Sequence, residues 1–310
     1  MSLSWGGGRI THGRIKAALL LLGLGGMAVA VIGMRNDLKD HALPGVPTMA
    51  IALLLAVLSL LAAARSWIAL LEAAPADRRA VASAMYVSQL SKYLPGGGVF
   101  QATGQITLSA AAHRPAKRVA VAFVVSAIGQ AAAGLLIVVG LVTLDGAPGW
   151  LRWLAPLGLF GFLALSRPVL HLMMHIGRRI TRHVPDSDHL PPERAVAVGF
   201  IWTIVNIGLF ALSYAVILHS IEPGTPILGA ASAFALAWVI GFLVLPIPSG
   251  LGIREAVLYA TLPGVPAAAV LASSLAHRVA TFGAELLLTA FSQARRKHDS
   301  ATVDADVMAS

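Results

Sequence analysis

Seven stretches of this chain, 17–34, 48–71, 119–142, 153–176, 195–219, 227–247 and 266–291, are apolar over roughly the length of a membrane-crossing helix. A helix rises 1.5 Å per residue, so about 20 apolar residues cover the ~30 Å of bilayer hydrocarbon. Runs of this number and length leave a water-soluble fold little polar surface to present to solvent. The 310 residues are 57% hydrophobic and 12% charged, with a mean hydropathy of +0.79, which excludes a soluble globular domain and a disordered chain. In lipid a helix satisfies its own backbone hydrogen bonds, so the expected fold is an all-α polytopic membrane protein.

The side chains also exclude several chemistries. With no cysteine there is no disulfide scaffold, thiolate metal site or sulfur nucleophile. The net charge of +9 does not point to nucleic acid, because the bases are scattered between the apolar runs and form no single soluble face. His171 and His175 have the i, i+4 spacing of a metal pair but no glutamate between them, and read as interfacial histidines. No Gly-x-x-x-x-Gly-Lys-Ser/Thr loop is present, so ATP hydrolysis by that route is not expected. No cofactor, metal or enzymatic activity is expected.

The charges instead orient the chain. Arg14 and Lys16 before the first run, with Ala-Val-Ala at 28–30, leave a signal peptide open, but an uncleaved first span is the expectation when so many others follow. Suppose that 79–112 and 227–262 each dip into the membrane and return to the side they came from. Arg9, Arg14, Lys16, Arg78, Arg79, Arg114, Lys117, Arg118, Arg178, Arg179, Arg182, Arg194, Arg295, Arg296 and Lys297 then share one side, fifteen of the 23 Lys and Arg. The other side holds only Arg35, Lys39 and Arg152, the asymmetry of the positive-inside rule.

The expected architecture is therefore about six transmembrane helices plus two re-entrant hairpins. Residues 1–16 form a cytoplasmic N-terminus, 17–291 a single transmembrane domain, and 292–310 a cytoplasmic disordered tail. Halves at about 17–142 and 150–291 run in opposite senses, as in the inverted repeats of transporters. If 227–247 crosses completely and 250–262 crosses back, there are eight crossings with the same terminal orientation.

The hairpin tips, Leu-Pro-Gly-Gly-Gly from Leu94 and Ile-Pro-Ser-Gly-Leu-Gly-Ile-Arg-Glu from Ile247, concentrate the chemistry. Pro95, Gly96, Gly97 and Gly98, and Pro248, Gly250 and Gly252, are expected to end helices. Ended helices expose backbone groups, which is tolerable at bilayer depth only inside protein or against a water-filled cavity, where the helix termini can meet an anion. Lys92 and Tyr93 precede the first tip, and Arg254 and Glu255 follow the second. Arg278 and Glu285, seven residues apart, share one face of the last span. At about 2.5–3.5 kcal/mol per mid-span charge, these groups must be paired, solvated or interfacial. Two readings stay open: ion pairs that brace the hairpins, or bases that engage an anionic headgroup with an acid to orient it or carry a proton. Gln101, Gln105 and Ser109 add an i, i+4, i+8 polar stripe. Ser126, Gln130 and Asn206 read as helix-to-helix hydrogen bonds.

The segment from Tyr86 to Gln105, with its Tyr-Leu-Pro-Gly, and "PIPSGLGIREAVLYATL", with its Pro-x-Gly-x-Gly-x-Arg-Glu, resemble the two motifs of the membrane domain of lysylphosphatidylglycerol synthases and their stand-alone flippase-like relatives. An arginine early in the last span, here Arg278, also fits. The resemblance covers about 15–291 and implies a multi-pass protein of the bacterial inner membrane, with both termini cytoplasmic, that moves a lipid or lipid-linked headgroup between leaflets. The synthases carry a large cytosolic aminoacyltransferase domain after the spans, whereas this chain stops soon after Lys297, so lysyl transfer is not expected. The expected function is a lipid flippase-like transporter without ATP hydrolysis, acting on a membrane lipid or a polyprenyl-phosphate-linked substrate. Lys92, Tyr93, Gln101, Arg254, Glu255, Arg278 and Glu285 are its expected substrate-binding residues. The alternative is an accessory subunit that binds a lipid-linked sugar for a partner membrane glycosyltransferase.

Overall fold

A computed structural model describes residues 44–93, 97–110, 115–138, 153–180, 187–243 and 252–309. The expected span at 17–34 lies outside them. The described residues form ten α-helices and no strand: α1 (Val46–Leu70), α2 (Arg78–Gln89), α3 (Gly97–Ala110), α4 (Ala116–Ile137), α5 (Ala155–Ala164), α6 (Arg167–Ile180), α7 (Glu193–Ile221), α8 (Ile227–Leu243), α9 (Ile253–Thr261) and α10 (Ala267–Ala309). A 3₁₀ turn, Leu90–Tyr93, follows α2.

Three of these helices, α1, α4 and α7, are long and apolar enough to cross a membrane, and α5 with α6 make a fourth candidate only as a bent pair. The first three match the expected runs at 48–71, 119–142 and 195–219 within a few residues. The run at 153–176 is not one straight helix, because α5 and α6 meet at 74°. Pro168, the second residue of α6, has no N–H to give the Ala164 carbonyl, and its ring disfavours helical backbone at Arg167. The chain closes α5 instead with N–H donation from Leu165 to the Phe162 carbonyl and from Ser166 to the Leu163 carbonyl, both at 3.0 Å.

The remaining helices are short or polar. At 12 and 14 residues, α2 and α3 fall below the ~20 needed to cross. They fold back on each other, with Gly104 against Ser88 and Ser91 and the Gln101 amide donating to Gln89 Oε1 at 3.1 Å. Gly97 and Gly98, expected to break a helix, open α3. Helix α8 has 17 residues and α9 nine. The last helix continues through the tail that was expected to be disordered from 292. No glycine or proline lies between Gly283 and Ala309 to stop it.

A polar seam joins α1 to α7 in antiparallel register: Ser213 Oγ donates to the Ala52 carbonyl at 2.8 Å, Ser59 Oγ to Asn206 Oδ1 at 2.7 Å, and Ser66 Oγ pairs with Thr203 Oγ1 at 2.9 Å. Small residues and hydroxyls let apolar helices approach closely where lipid provides no hydrophobic force between them. The same logic joins α4 to its neighbours. Gly134 sits directly beneath Val239 of α8, and Gly158 and Gly161 of α5 lie against Leu136 and Ala132. The outward faces of α1, α5 and α7 carry exposed Leu54, Leu58, Phe160, Leu163 and Ile201, as a lipid-facing surface requires.

Candidate functional site

The helices enclose a cavity of about 430 Å³ between the α1–α7 seam, the α2–α3 hairpin, α4, α8 and the last helix. Its wall mixes two chemistries. Gln89, Gln101, Gln105, Ser126, Gln130 and Asn206 provide amides and a hydroxyl, and Trp67, Phe123, Phe210, Trp238 and Phe242 provide aromatic surface. Trp238 and Phe242, one helical turn apart, stack with ring centroids 5.2 Å apart. Among the described residues, two bases, Lys92 and Arg254, and one acid, Glu285, also line the wall.

The last helix positions the charges. Glu285, with 2% of its side chain exposed, forms an ion pair with Lys92 Nζ. Seven residues earlier, Arg278 donates to Glu255 Oε1 at 2.8 Å, and Ser274 Oγ donates to the same oxygen at 2.6 Å. Glu255 Oε2 accepts the Gly252 N–H at 2.8 Å, which ties the carboxylate to the start of its own helix. Gly252 has φ +81°, in the left-handed region where glycine carries no Cβ penalty, so this turn requires it. The turn after α2 and the start of α9 are thus each tied to α10 by an ion pair. Farther along, Thr289 Oγ1 donates to the Tyr86 carbonyl and Ser83 pairs with Ser292, both at 3.3 Å.

The sequence-predicted residues divide into two groups. Lys92, Gln101, Arg254 and Glu285 are brought together around the cavity, and Glu255 and Arg278 are not on its wall but form the ion pair behind Arg254. The Tyr93 side chain, Pro95, Gly96, Pro248 and Gly250 lie outside the described residues. On α3 the expected stripe divides by depth: Gln101 and Gln105 face the cavity, while Ser109 is buried and accepts from Trp67 Nε1 at 3.1 Å. Asn206 makes the helix-to-helix bond expected of it. Gln130 corrects the expectation, since its amide donates to Ser126 Oγ of its own helix at 3.3 Å and both face the cavity. The four-residue spacing that allows this bond is present in the sequence, but only packing shows which face is inward.

Two features escaped the reading of the sequence. Trp238 and Phe242 form part of the apolar wall, and nothing in a run of apolar residues distinguishes a cavity-lining side from a lipid-facing one. Gly241 lies between them in sequence and against the stem of Arg254: a Cβ there would stand 2.9 Å from Arg254 Cγ and 3.0 Å from its Nε. Glycine at 241 therefore makes the room that Arg254 occupies on the cavity wall. Gly241→Ala is expected to displace the guanidinium, because the flexible side chain yields before the helix does, and to weaken any anion affinity of the cavity roughly tenfold, about 1.4 kcal/mol. Titration of the purified variant with a soluble anionic headgroup, next to the wild type, checks this; equal affinities would show that the Arg254 position is immaterial.

A comparison with curated proteins finds no match to the chain. The family model described as "Lysylphosphatidylglycerol synthase TM region" matches residues 15–288, most of the length, and takes in Lys92, Arg254, Glu255, Arg278 and Glu285. With its long apolar helices and internal ion pairs, the chain belongs to the family of the lysylphosphatidylglycerol synthase transmembrane region.

Proposed function

We propose that this protein is a lipid flippase-like transporter that moves a phosphate-bearing headgroup, of a phospholipid or a polyprenyl-phosphate-linked lipid, between leaflets of the bacterial inner membrane without ATP hydrolysis. The observation that carries this reading is the cavity: two bases and one acid on a wall of amides, hydroxyls and aromatic rings, inside a bundle whose outer faces are apolar. Lys92 and Arg254 attract the phosphate, the amides hydrogen-bond what is attached to it, and the rings carry its apolar portion. Glu285 holds Lys92 when the cavity is empty and is the group a phosphate would displace. Glu255 and Arg278 fix the second hairpin, so their role is to position Arg254.

The topology that goes with this function has two hairpins that enter and return, with the two halves inverted and both termini cytoplasmic. In its support, α2, α3 and α9 are each too short to cross alone, and α8 and α9 lie in the second half where α2 and α3 lie in the first. Both hairpins pair with α10 through a charge. Broken helices around a midplane site are the pattern by which repeat-built transporters bind their cargo. An inside-negative potential contributes about 2.3 kcal/mol per charge per 100 mV, which drives an anionic headgroup outward without another energy source.

The test is leaflet exchange in liposomes containing the purified protein, followed by chemical quenching of fluorescent lipids in the outer leaflet. Faster exchange of an anionic phospholipid or a polyprenyl phosphate than in protein-free liposomes is expected. No acceleration for any lipid of either class would overturn the reading.

A further inference from the structure

Helix α6 is built unlike any of the crossing helices. At 100° per residue its exposed Leu172, Met173 and Ile176 share one face, and Arg167, His171 and His175 share the opposite one, with exposed Arg179 at the border. A third side, Leu170 with Met174, packs into the core cluster that contains Leu70, Leu190 and Val196. An apolar stripe left uncovered beside a basic stripe does not suit a helix that runs through hydrocarbon, where the bases would face lipid.

Its direction supports the same conclusion. Helix α5 runs antiparallel to α4, with Gly158 at Leu136, Gly161 at Ala132 and Leu165 near Gly129. At Leu165 the chain has reached the level of Leu70, the last residue of α1, and of Val196 in the first turn of α7, which line one small cleft with it. There α6 departs at 74°. Of its neighbours, α1 ends and α7 begins at this level while α4 continues to Ala116, so a helix of 14 residues, ~21 Å long, that turns away here is placed to run along the bilayer surface. Arg194 and the ion-paired Arg118 mark that end of the bundle as the basic, cytoplasmic one.

We infer that α6 is an in-plane surface helix that seats Leu172, Met173 and Ile176 among the acyl chains and holds anionic phospholipid headgroups of the cytoplasmic leaflet with Arg167, His171, His175 and Arg179. Charge complementarity selects the occupant, since that leaflet carries a negative surface potential and a basic segment at it gains about 1 kcal/mol per Lys or Arg. Burial of an apolar face to about 5–10 Å is the usual depth for such helices.

The absence of native cysteine makes the test direct. Single cysteines at each position from 171 to 176 in the full-length chain are spin-labelled in phosphatidylcholine vesicles with and without phosphatidylglycerol, and label depth is read from collisions with oxygen and with a water-soluble nickel chelate. The expected result is depth that oscillates with the helical period, deepest at 172, 173 and 176 and shallowest at 171 and 175. Depth that changes steadily with residue number would make α6 part of a crossing and overturn the inference. Phosphatidylglycerol is further expected to immobilise the label at 176, and Arg167→Gln with Arg179→Gln, both at exposed positions, to abolish that response. A label that responds identically to both bilayers in the otherwise wild-type chain would overturn the headgroup assignment. Neither readout depends on transport.

Discussion

Replacing Arg254 by glutamine is expected to slow leaflet exchange roughly 30- to 100-fold with the fold intact, and replacing Arg278 by glutamine is expected to cost folding first. Arg254 stands on α9 and Arg278 on α10, and they do different things. Arg254 lines the cavity, and its stem rests on Gly241. Loss of a charged hydrogen bond to a phosphate is worth about 2–2.8 kcal/mol, which is the stated fold-change. Arg278, with 17% of its side chain exposed, donates to Glu255, itself 13% exposed. Its removal takes the cation from a mostly buried carboxylate that keeps its bonds from Ser274 and the Gly252 N–H, at a cost of about 3 kcal/mol, most of it the penalty of burying that charge. Thermal unfolding in detergent and exchange in liposomes, measured on both variants, separate the roles. An Arg254→Gln protein that exchanges lipid at the wild-type rate would remove this residue from the site, and an Arg278→Gln protein of unchanged stability would remove the brace.

The charges that the sequence leaves open between bracing and headgroup binding fall in two places, Lys92, Arg254 and Glu285 on the cavity wall and Glu255 with Arg278 off it, and the reason is geometric. Arg254 and Glu255 are sequence neighbours, so on a helix their side chains diverge by about 100°. Glu255 turns back to its own helix start and to α10, and Arg254 turns to α8. No reading of Arg-Glu as a dipeptide could assign which residue faces inward. By contrast, it was legible that Arg278 and Glu285 share one face and must be paired, solvated or interfacial, but not that Glu255 and Lys92 are their partners.

The fold was legible to a similar depth. Helices α1, α4 and α7 announce themselves by uninterrupted apolar length, which is the one property a crossing helix cannot lack. The bend between α5 and α6 was missed because hydropathy averages over Pro168 as readily as over any apolar neighbour, even though the missing N–H decides the local geometry. The period of the pattern in α6 held the correction: Arg167, His171 and His175 recur at four-residue intervals inside a stretch whose mean composition still resembles a span. The Gln130–Ser126 bond failed for the opposite reason. Both residues were identified, but a polar side chain in a span can also bond to a hydroxyl one turn away on its own helix.

The ion pair between Lys92 and Glu285 supplies the second large effect, and it distinguishes a charge kept for stability from one kept for work. Glu285 is 2% exposed and Lys92 22%, so the pair sits at the inner wall and not at a surface where an ion pair would be worth little. Glu285→Leu alone removes the carboxylate that Lys92 meets and is expected to lower stability by about 3 kcal/mol. Lys92→Met alone leaves the carboxylate buried and is expected to cost a similar amount. The double variant Lys92→Met with Glu285→Leu replaces two charges by apolar groups of similar length, and buried pairs exchanged in this way are often neutral or stabilising. Its unfolding temperature is therefore expected to return to the wild-type value or above. Its leaflet exchange is not expected to return, because the cavity has lost one of its two bases along with the acid that releases it. Stability recovered without transport places the pair in the transport step. Recovery of both would mean that Lys92 and Glu285 only clamp the first hairpin to the last helix, and Arg254 would then be the sole charged contact for the headgroup among the described residues of the cavity wall.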